Sequence, residues 1–213
     1  MTDHSIPKTL DGLRDLYEDN LAEHGLTSKG VGWKDEASQL LRFERLSRVI
    51  ADRAQPFTVN DWGCGYGAMF TYLDAMAGAS LVRYTGYDIS ADMLSAATAR
   101  CDTRSRFILG GEVTEPADYT FVSGTFNVKL EATDAEWDAY VKRQLEIMFA
   151  QSTRGLAFNL LSSYVDWKVD KLFYADPKDF FDFCKTRLSR YVTLSHDYGL
   201  FEWTLLVTRD PQP

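Results

Sequence analysis

The stretch FTVNDWGCGYG, residues 57–67, is the most informative part of this 213-residue chain. A β-prone run over residues 57–62 leads into a loop with glycine at every second position, and helix-prone sequence follows from Ala68. Glycines spaced in this way let the backbone turn sharply and leave no side chain between the main chain and a ligand. A second strand-like run, residues 81–87, ends at Asp88. A glycine loop after one strand and an acid after the next predict a parallel α/β sheet that binds a nucleoside.

The same residues resemble the cofactor-binding core of a known family. The pattern Asp61-x-Gly63-x-Gly65-x-Gly67, with Asp88 downstream, is similar to that of the class I S-adenosylmethionine (SAM) dependent methyltransferases. The resemblance implies that Asp61 lies near the amino group of SAM and that Asp88 accepts hydrogen bonds from the ribose hydroxyls. The other interpretation of Asp88 is an acid at the N-cap of the following helix, a position it would share with Ser90.

A dinucleotide fingerprint, G-x-G-x-x-G/A, is the competing interpretation, because Gly63, Gly65 and Ala68 also satisfy it. Dinucleotide-binding strands usually carry an apolar residue where this chain has Asp61, so the acid favours SAM over a nicotinamide or flavin cofactor. A nicotinamide-dependent reductase is therefore the alternative enzyme. A SAM-binding protein without catalytic activity is the alternative outside the enzymes.

Composition and charge narrow the class of protein and its partners. Hydrophobic residues make up 45% of the chain, and no apolar run approaches the roughly 20 residues of a membrane span. The formal net charge of −8 opposes binding to phosphate backbones and disfavours a nucleic-acid substrate. The three cysteines lie far apart, and no metal-ligand spacing is present. We therefore expect a cytoplasmic protein that acts on a small molecule, without a metal and without a membrane-spanning segment.

The order of predicted elements indicates the fold class. Apolar periodicity predicts helices over residues 9–24 and 35–53, after which strands and helices alternate as in a sheet covered on both faces. We expect an α/β fold: a seven-stranded, mostly parallel Rossmann-like methyltransferase sheet with a terminal antiparallel hairpin, an N-terminal helical cap (residues 1–55) and a SAM-binding domain (residues 56–213). The apolar stripe predicted for the second helix is Ala37, Leu40, Leu41, Val49 and Ile50. The predicted strands are residues 57–62, 82–87, 105–109, 117–122 and 154–160, and the helices between them are residues 68–77, 90–100 and 134–151.

The resemblance assigns further residues to the cofactor site. Ile89 and Met93 would lie against the adenine, although both also fit ordinary core positions. Glu112 would receive the adenine amino group, unless it is a solvated loop acid. In the N-terminal cap, Trp33 and Arg42 would meet the methionine carboxylate, because an arginine forms a bidentate pair with a carboxylate; Arg42 also fits a helix-surface charge. The expected cofactor residues are Trp33, Arg42, Asp61, Gly63, Cys64, Gly65, Gly67, Asp88, Ile89, Met93, Glu112 and Ser123.

The methyl acceptor is less well defined by the sequence, because methyl transfer needs positioning and exclusion of water more than covalent help. Enzymes that methylate planar amines carry an Asp/Asn-Pro-Pro-aromatic motif after the fourth strand. This chain has Ser123 to Asn127 there, which either line the site or form a local turn. The loop after the fifth strand should border the acceptor. We expect substrate contacts at Asn127, Tyr164 and Tyr174, and candidate catalytic groups at Tyr164, Asp166 and His196, the last of which also fits a hairpin surface.

Overall fold

The computed structural model describes residues 5–211, apart from the side chain of Ser5, and within this range eight strands form one sheet. The strands are β1 Phe57–Trp62, β2 Leu81–Asp88, β3 Ser105–Leu109, β4 Ala117–Val122, β5 Ser152–Ser162, β6 Tyr174–Ala175, β7 Tyr191–Ser195 and β8 Glu202–Thr208. Their order is β3-β2-β1-β4-β5-β8-β7, and β6 pairs with β5. Neighbours are parallel except β8, which is antiparallel to β5 and β7. The predicted α/β fold with a terminal antiparallel hairpin is confirmed; the short β6 was not predicted.

Six α-helices within the described range accompany the sheet. They are α1 Ser5–His24, α2 Glu36–Ser47, α3 Ala68–Ala77, α4 Ala91–Arg100, α5 Asp134–Ala150 and α6 Pro177–Phe183. Neighbouring residues of β5 join different hydrophobic cores: Phe158 packs in a core with Trp137 of α5, and Ala157 packs in a core with Leu46 of α2 and Leu73 of α3. Because successive side chains of a strand point to opposite faces, helices cover both faces of the sheet. Within residues 5–211, no helix is long and apolar enough to cross a membrane.

The second helix differs from its prediction. Helix α2 ends at Ser47, whereas the prediction extended it to residue 53. Ala37 and Leu40, which belong to the predicted apolar stripe, are exposed. Val49 and Ile50, also in the predicted stripe, are buried as expected but lie beyond the end of the helix. The prediction was wrong at Ala37 and Leu40 because the inner face of this helix contains polar residues with buried partners. The buried residues of α2 are Gln39, Arg42, Phe43, Leu46 and Ser47.

The sequence alone predicts three helix starts from capping signals: Asp35, the Thr133-x-x-Glu136 pattern, and Asp176 before Pro177. Oδ1 of Asp35 accepts a hydrogen bond from the backbone N–H of Ser38 at 2.8 Å. Thr133 and Glu136 form a capping box at the start of α5. The side chain of Asp176 accepts from the backbone at the start of α6, where Pro177 is the first helical residue. These contacts satisfy N–H groups that have no partner inside the helix, and they confirm the three predicted starts.

The sheet topology places the site. Strand β1 lies between β2 and β4, so the chain leaves β1 towards one side of the sheet and returns to it on the other. In open α/β sheets this reversal opens a crevice at the carboxyl ends of the strands. The glycine loop, Asp88 and the turn after β4 all follow strands that end at this edge.

Candidate active site

The loop after β1 packs its main chain against Asp88 at the end of β2. Gly65 has a φ of 52°, in the left-handed region that favours glycine. A Cβ on Gly65 would lie 2.9 Å from Cγ1 of Val31. The backbone N–H of Gly65 donates to Oδ2 of Asp88 at 2.9 Å. Glycine suits this position because the backbone angle disfavours other residues and an added side chain would press against Val31.

Asp88 is held by two backbone donors. Besides the bond from Gly65, its Oδ1 accepts the N–H of Ser90 at 3.0 Å. Oγ of Ser90 in turn accepts the N–H of Met93 at 3.2 Å, so Ser90, and not Asp88, is the N-cap of α4. Burial raises the pKa of Asp88, while the hydrogen bonds from the backbone oppose that shift. The carboxylate is therefore fixed at the wall of a cavity, beside the glycine loop.

This cavity contains about 980 Å³ of atom-free space, part of it open to solvent. The loops after β1, β2, β3 and β4 line it, and helices α1, α2 and α5 contribute further residues. Nine of the expected cofactor residues line the cavity: Trp33, Asp61, Gly63, Cys64, Gly65, Asp88, Ile89, Met93 and Ser123.

Glu112 and Gly67 do not line the cavity. Glu112 is exposed, whereas its neighbours Gly110 and Gly111 do line it. Gly67 is the N-cap residue of α3, and a Cβ there would lie 2.8 Å from Sγ of Cys101. The glycine at position 67 thus makes room for α4 and its following turn. In both cases the cavity meets the neighbouring residues of the loop.

Asp61 forms the polar floor of the cavity. Its side chain is buried, with a relative exposure of 2%, and the hydroxyl of Tyr84 donates a hydrogen bond to its Oδ2. Burial raises the pKa of Asp61 to about 7, with a further increase from the charge of Asp88, while the Tyr84 hydrogen bond lowers it. A cationic ligand group near this carboxylate would favour its charged form.

Three buried hydroxyls in the cavity wall have no hydrogen-bond partner: Oγ of Ser123, and the phenol oxygens of Tyr87 and Tyr140. Buried polar groups in native proteins nearly always have a partner, whether protein, water or ligand. A ligand or water bound in this cavity would supply partners of that kind.

Arg42 does not line the cavity, and its guanidinium is paired inside the protein. Its Nε donates to Oε2 of Glu202 at 2.8 Å and its Nη2 lies 2.6 Å from Oε1 of the same residue. Both side chains are buried, and the two residues are 160 positions apart in the chain. The expectation that Arg42 binds the methionine carboxylate was wrong, because Glu202 already occupies the guanidinium.

Asn127 is also a structural residue and not an acceptor contact. Its Oδ1 accepts the backbone N–H of Leu161 at 3.0 Å, and its Nδ2 lies 3.5 Å from Oε1 of Glu202. The residue is 5% exposed and does not line the cavity. Its amide connects the turn after β4 to β5, so the expectation of a substrate contact at Asn127 is corrected.

Several cavity residues were missed by the sequence reasoning. Tyr17 comes from α1, and burial raises its pKa to about 12, with a smaller effect from the charge of Asp88. Trp137 and Tyr140 come from the first turns of α5. These residues lie on apolar faces of their helices, a pattern that predicts packing in the hydrophobic core. The available signal was a tyrosine, with a polar tip, on an otherwise apolar stripe.

The expected acceptor residues lie elsewhere at the carboxyl edge of the sheet. Tyr174 and Asp166 line a second cleft of about 390 Å³, together with Leu161, Val165, Trp167 and Phe201. Tyr164 and His196 are exposed, and their ring centroids are 5.9 Å apart. None of these residues lines the first cavity. The structure thus brings the expected acceptor residues near one another but does not combine them with the cofactor residues.

Within residues 5–211, no group of three or more histidine, cysteine or acidic side chains is arranged to hold a metal ion. The polar residues that line the first cavity include two carboxylates, several hydroxyl-bearing side chains and the backbone of a glycine loop. That donor set suits an organic ligand with hydroxyl and amino groups.

Comparisons with known proteins agree with this arrangement. No protein-family model matches the chain. A protein of Mycobacterium tuberculosis named "Putative methyltransferase Rv1506c" is 46% identical over 164 residues, which are 75% of this chain and 98% of the relative.

Solved structures show the same fold. Magnesium protoporphyrin IX methyltransferase from Synechocystis with bound SAM has a TM-score of 0.64 at 12% identity, covering 95% of this chain and 97% of the other. DhpI in complex with S-adenosylhomocysteine (SAH) has a TM-score of 0.65 at 13% identity over 100% of both chains. The sequence relative, the fold and the glycine-loop motif lead to one conclusion: the chain belongs to the class I SAM-dependent methyltransferases.

Proposed function

We propose that this methyltransferase acts on a small molecule, and that the cavity at the glycine loop holds SAM. The observation that carries the proposal is the set of three unpartnered hydroxyls, from Ser123, Tyr87 and Tyr140, around a cavity that also contains Asp61 and Asp88. The second support is the cradle at Gly65, where a Cβ would meet Val31.

These residues fit the parts of SAM. Asp88 would accept hydrogen bonds from the ribose hydroxyls, and Asp61 would face the amino group. The main chain around Gly65 would follow the methionyl part, because no side chain separates it from the cavity. When bound, SAM supplies a methyl group on a positively charged sulfonium, which an electron-rich acceptor atom attacks in line.

The protein contributes position and a dry environment. The side chains of Leu10, Leu13 and Tyr17 on α1 line the cavity and cover it from the cap side. Val31 and Trp33, which precede α2, complete that cover. Excluding water and holding two reactants at reactive distance are the main sources of acceleration for such a transfer. We therefore propose that residues 1–55 act as a cap on a SAM-binding domain of residues 56–213.

The same cover supports a small acceptor. A helix over the cavity leaves room for a small molecule but stands where a macromolecule would approach, and the net charge of −8 opposes nucleic acid. Tyr164, Asp166, Tyr174 and His196 remain candidates for acceptor contacts, and of these Asp166 and Tyr174 line the second cleft. A cytoplasmic location is supported by free cysteines at positions 64, 101 and 184.

The proposal is tested by following the label from methyl-tritiated SAM. A bacterial extract is separated by ultrafiltration into small-molecule and macromolecular fractions, and each is incubated with the protein or with Asp88→Ala. We expect labelled product in the small-molecule fraction with the unsubstituted protein and little with the variant. Label that enters only protein or nucleic acid would overturn the small-molecule acceptor.

A further inference from the structure

The buried ion pair between Arg42 and Glu202 connects the N-terminal cap to the sheet. Arg42 lies on α2 and also donates from Nη1 to the carbonyl of Ser38 at 2.9 Å. Glu202 is the first residue of β8 and is 1% exposed. Removing two charges from water is costly, and the cost is offset only when hydrogen bonds satisfy the remaining polar atoms.

Glu202 has these additional partners. Nδ2 of Asn159 on β5 donates to its Oε2 at 2.5 Å. Oδ1 of Asn159 accepts the backbone N–H of Gly124, in the turn after β4, at 2.9 Å. One chain of buried hydrogen bonds therefore joins α2, β8, β5 and the turn that carries Ser123.

Trp33 contacts both ends of this series of hydrogen bonds, Arg42 at one end and Gly124 at the other. The guanidinium carbon of Arg42 lies 3.8 Å from the centroid of the Trp33 ring. The indole edge lies against Gly124, since a Cβ there would be 1.9 Å from Cη2 of Trp33. Trp33 lines the cavity, and Arg42 does not. The indole thus lies between the guanidinium and the turn after β4, and the same residue lines the cavity.

We propose that Arg42 and Glu202 are positioning residues that hold Trp33 as a wall of the SAM cavity. The wall joins a cap residue to the turn with Ser123, so its position sets the width of the cavity between the cap and the sheet. The ligand would feel Arg42 only through Trp33. This inference rests on the proposed function, because it assumes that the cavity holds SAM.

A double-mutant cycle on SAH affinity tests the inference. Trp33→Leu removes the ring, and Arg42→Lys keeps the charge beside Glu202 but loses the planar surface that stacks on the indole. We expect SAH affinity, measured by calorimetry, to fall about tenfold in Trp33→Leu and about fivefold in Arg42→Lys, and the double variant to match Trp33→Leu.

Arg209→Lys is the matched control, because the Arg209 guanidinium carbon lies 3.9 Å from the Phe149 ring centroid, and neither residue lines the cavity. It should leave SAH affinity unchanged. If Arg42→Lys does not fold, Glu202→Gln, a substitution of the same shape, takes its place and should again add nothing to Trp33→Leu.

The outcomes separate this inference from the proposed function. If the unsubstituted protein does not bind SAH, the proposed function fails. If it binds SAH and both single variants bind equally well, only the role of Trp33 as a wall is overturned. An additive loss of about 50-fold in the double variant would show that Arg42 acts independently of Trp33, and would overturn its positioning role.

Discussion

At the scale of single residues, Asp88 connects the glycine loop to the start of α4. Its two oxygens accept N–H groups of Gly65 and Ser90, and the same carboxylate lines the cavity. A substitution therefore acts on the local fold and on the ligand together. Ser90, the N-cap of α4, offers a way to separate the two effects.

Asp88→Ala should weaken SAH binding strongly. A carboxylate that accepts both ribose hydroxyls is worth roughly 2–3 kcal/mol, which is about 30- to 150-fold in affinity. The control is Ser90→Ala, which removes only the helix cap and should cost about 1 kcal/mol of stability with little change in affinity. Calorimetry and thermal unfolding of both variants decide; near-normal SAH affinity in Asp88→Ala would reject the ribose assignment.

Gly65→Ala should damage both stability and ligand binding. Gly25 is a matched control, because its φ of 63° is close to that of Gly65 but a Cβ there meets nothing within 4 Å. Both alanine variants should lose about 1–2 kcal/mol of stability from the left-handed backbone. Only Gly65→Ala, which presses against Val31, should also weaken SAH binding by more than about tenfold. Equal SAH affinities in the two variants would mean that the loop is not the cradle.

Asp61 should make both stability and SAH affinity depend on pH. Burial raises the pKa of Asp61 to about 7 from an ordinary value of 3.8. Between these two pH values, Asp61 keeps its proton in the folded protein and loses it in the unfolded chain. The stability from this group is present at low pH and is lost as the pH rises towards and through 7. Asp61→Asn should flatten this dependence in thermal unfolding between pH 5 and 8. The unsubstituted protein should bind SAH, which carries an ammonium group, more tightly at pH 8 than at pH 6, and Asp61→Asn should not show this difference. If both proteins show the same pH profile, Asp61 does not face the ammonium group.

At the scale of elements, α5 illustrates a helix whose local signals and packing agree. Its capping box lies at Thr133 and Glu136, and its buried face includes Trp137, which lines the cavity. Helix α2 shows the opposite case. Its inner face carries Gln39 and Arg42, whose partners are Tyr66 and Glu202. For this reason, hydrophobic periodicity predicted α5 well and α2 poorly.

Thr133→Ala should lower stability without removing the ligand site. The loss of a helix N-cap costs about 1 kcal/mol, which corresponds to a melting temperature about 2–4 °C lower for a chain of this size. SAH affinity should stay within about twofold, because packing of the buried face, rather than the cap, positions Trp137 and Tyr140. Thermal unfolding and calorimetry check the two parts. A loss of affinity above tenfold would contradict this separation.

At the scale of the whole molecule, one cavity collects residues from the N-terminal helices α1 and α2 and from four loops at the same edge of the sheet. A ligand there contacts parts of the chain that are far apart in sequence, from Tyr17 of α1 to Tyr140 of α5. A ligand that binds the folded state but not the unfolded chain therefore increases the free energy of unfolding.

SAH should raise the melting temperature of the protein. At a concentration 100 times its Kd, a ligand stabilises the folded state by about 2.7 kcal/mol, or about 5–10 °C here. The shift should persist in excess chelator, since the expected cofactor needs no metal. NADH at the same concentration should give no shift. The absence of a shift with SAH would contradict the assignment of this cavity to the cofactor.

Features that depend on neighbouring residues could be predicted from the sequence. The glycine loop, Asp88, the capping box and the terminal hairpin were all visible, because turns, helix starts and strand alternation arise within a few residues. The tertiary structure alone decided the contacts between distant positions. Arg42 and Glu202, 160 residues apart, form a buried pair in place of a cofactor contact, and Asn127 serves β5 in place of a substrate. Only the folded arrangement of the strands and helices brings Tyr17, Tyr87 and Tyr140 to one cavity, because sequence distance carries no information about which elements pack together.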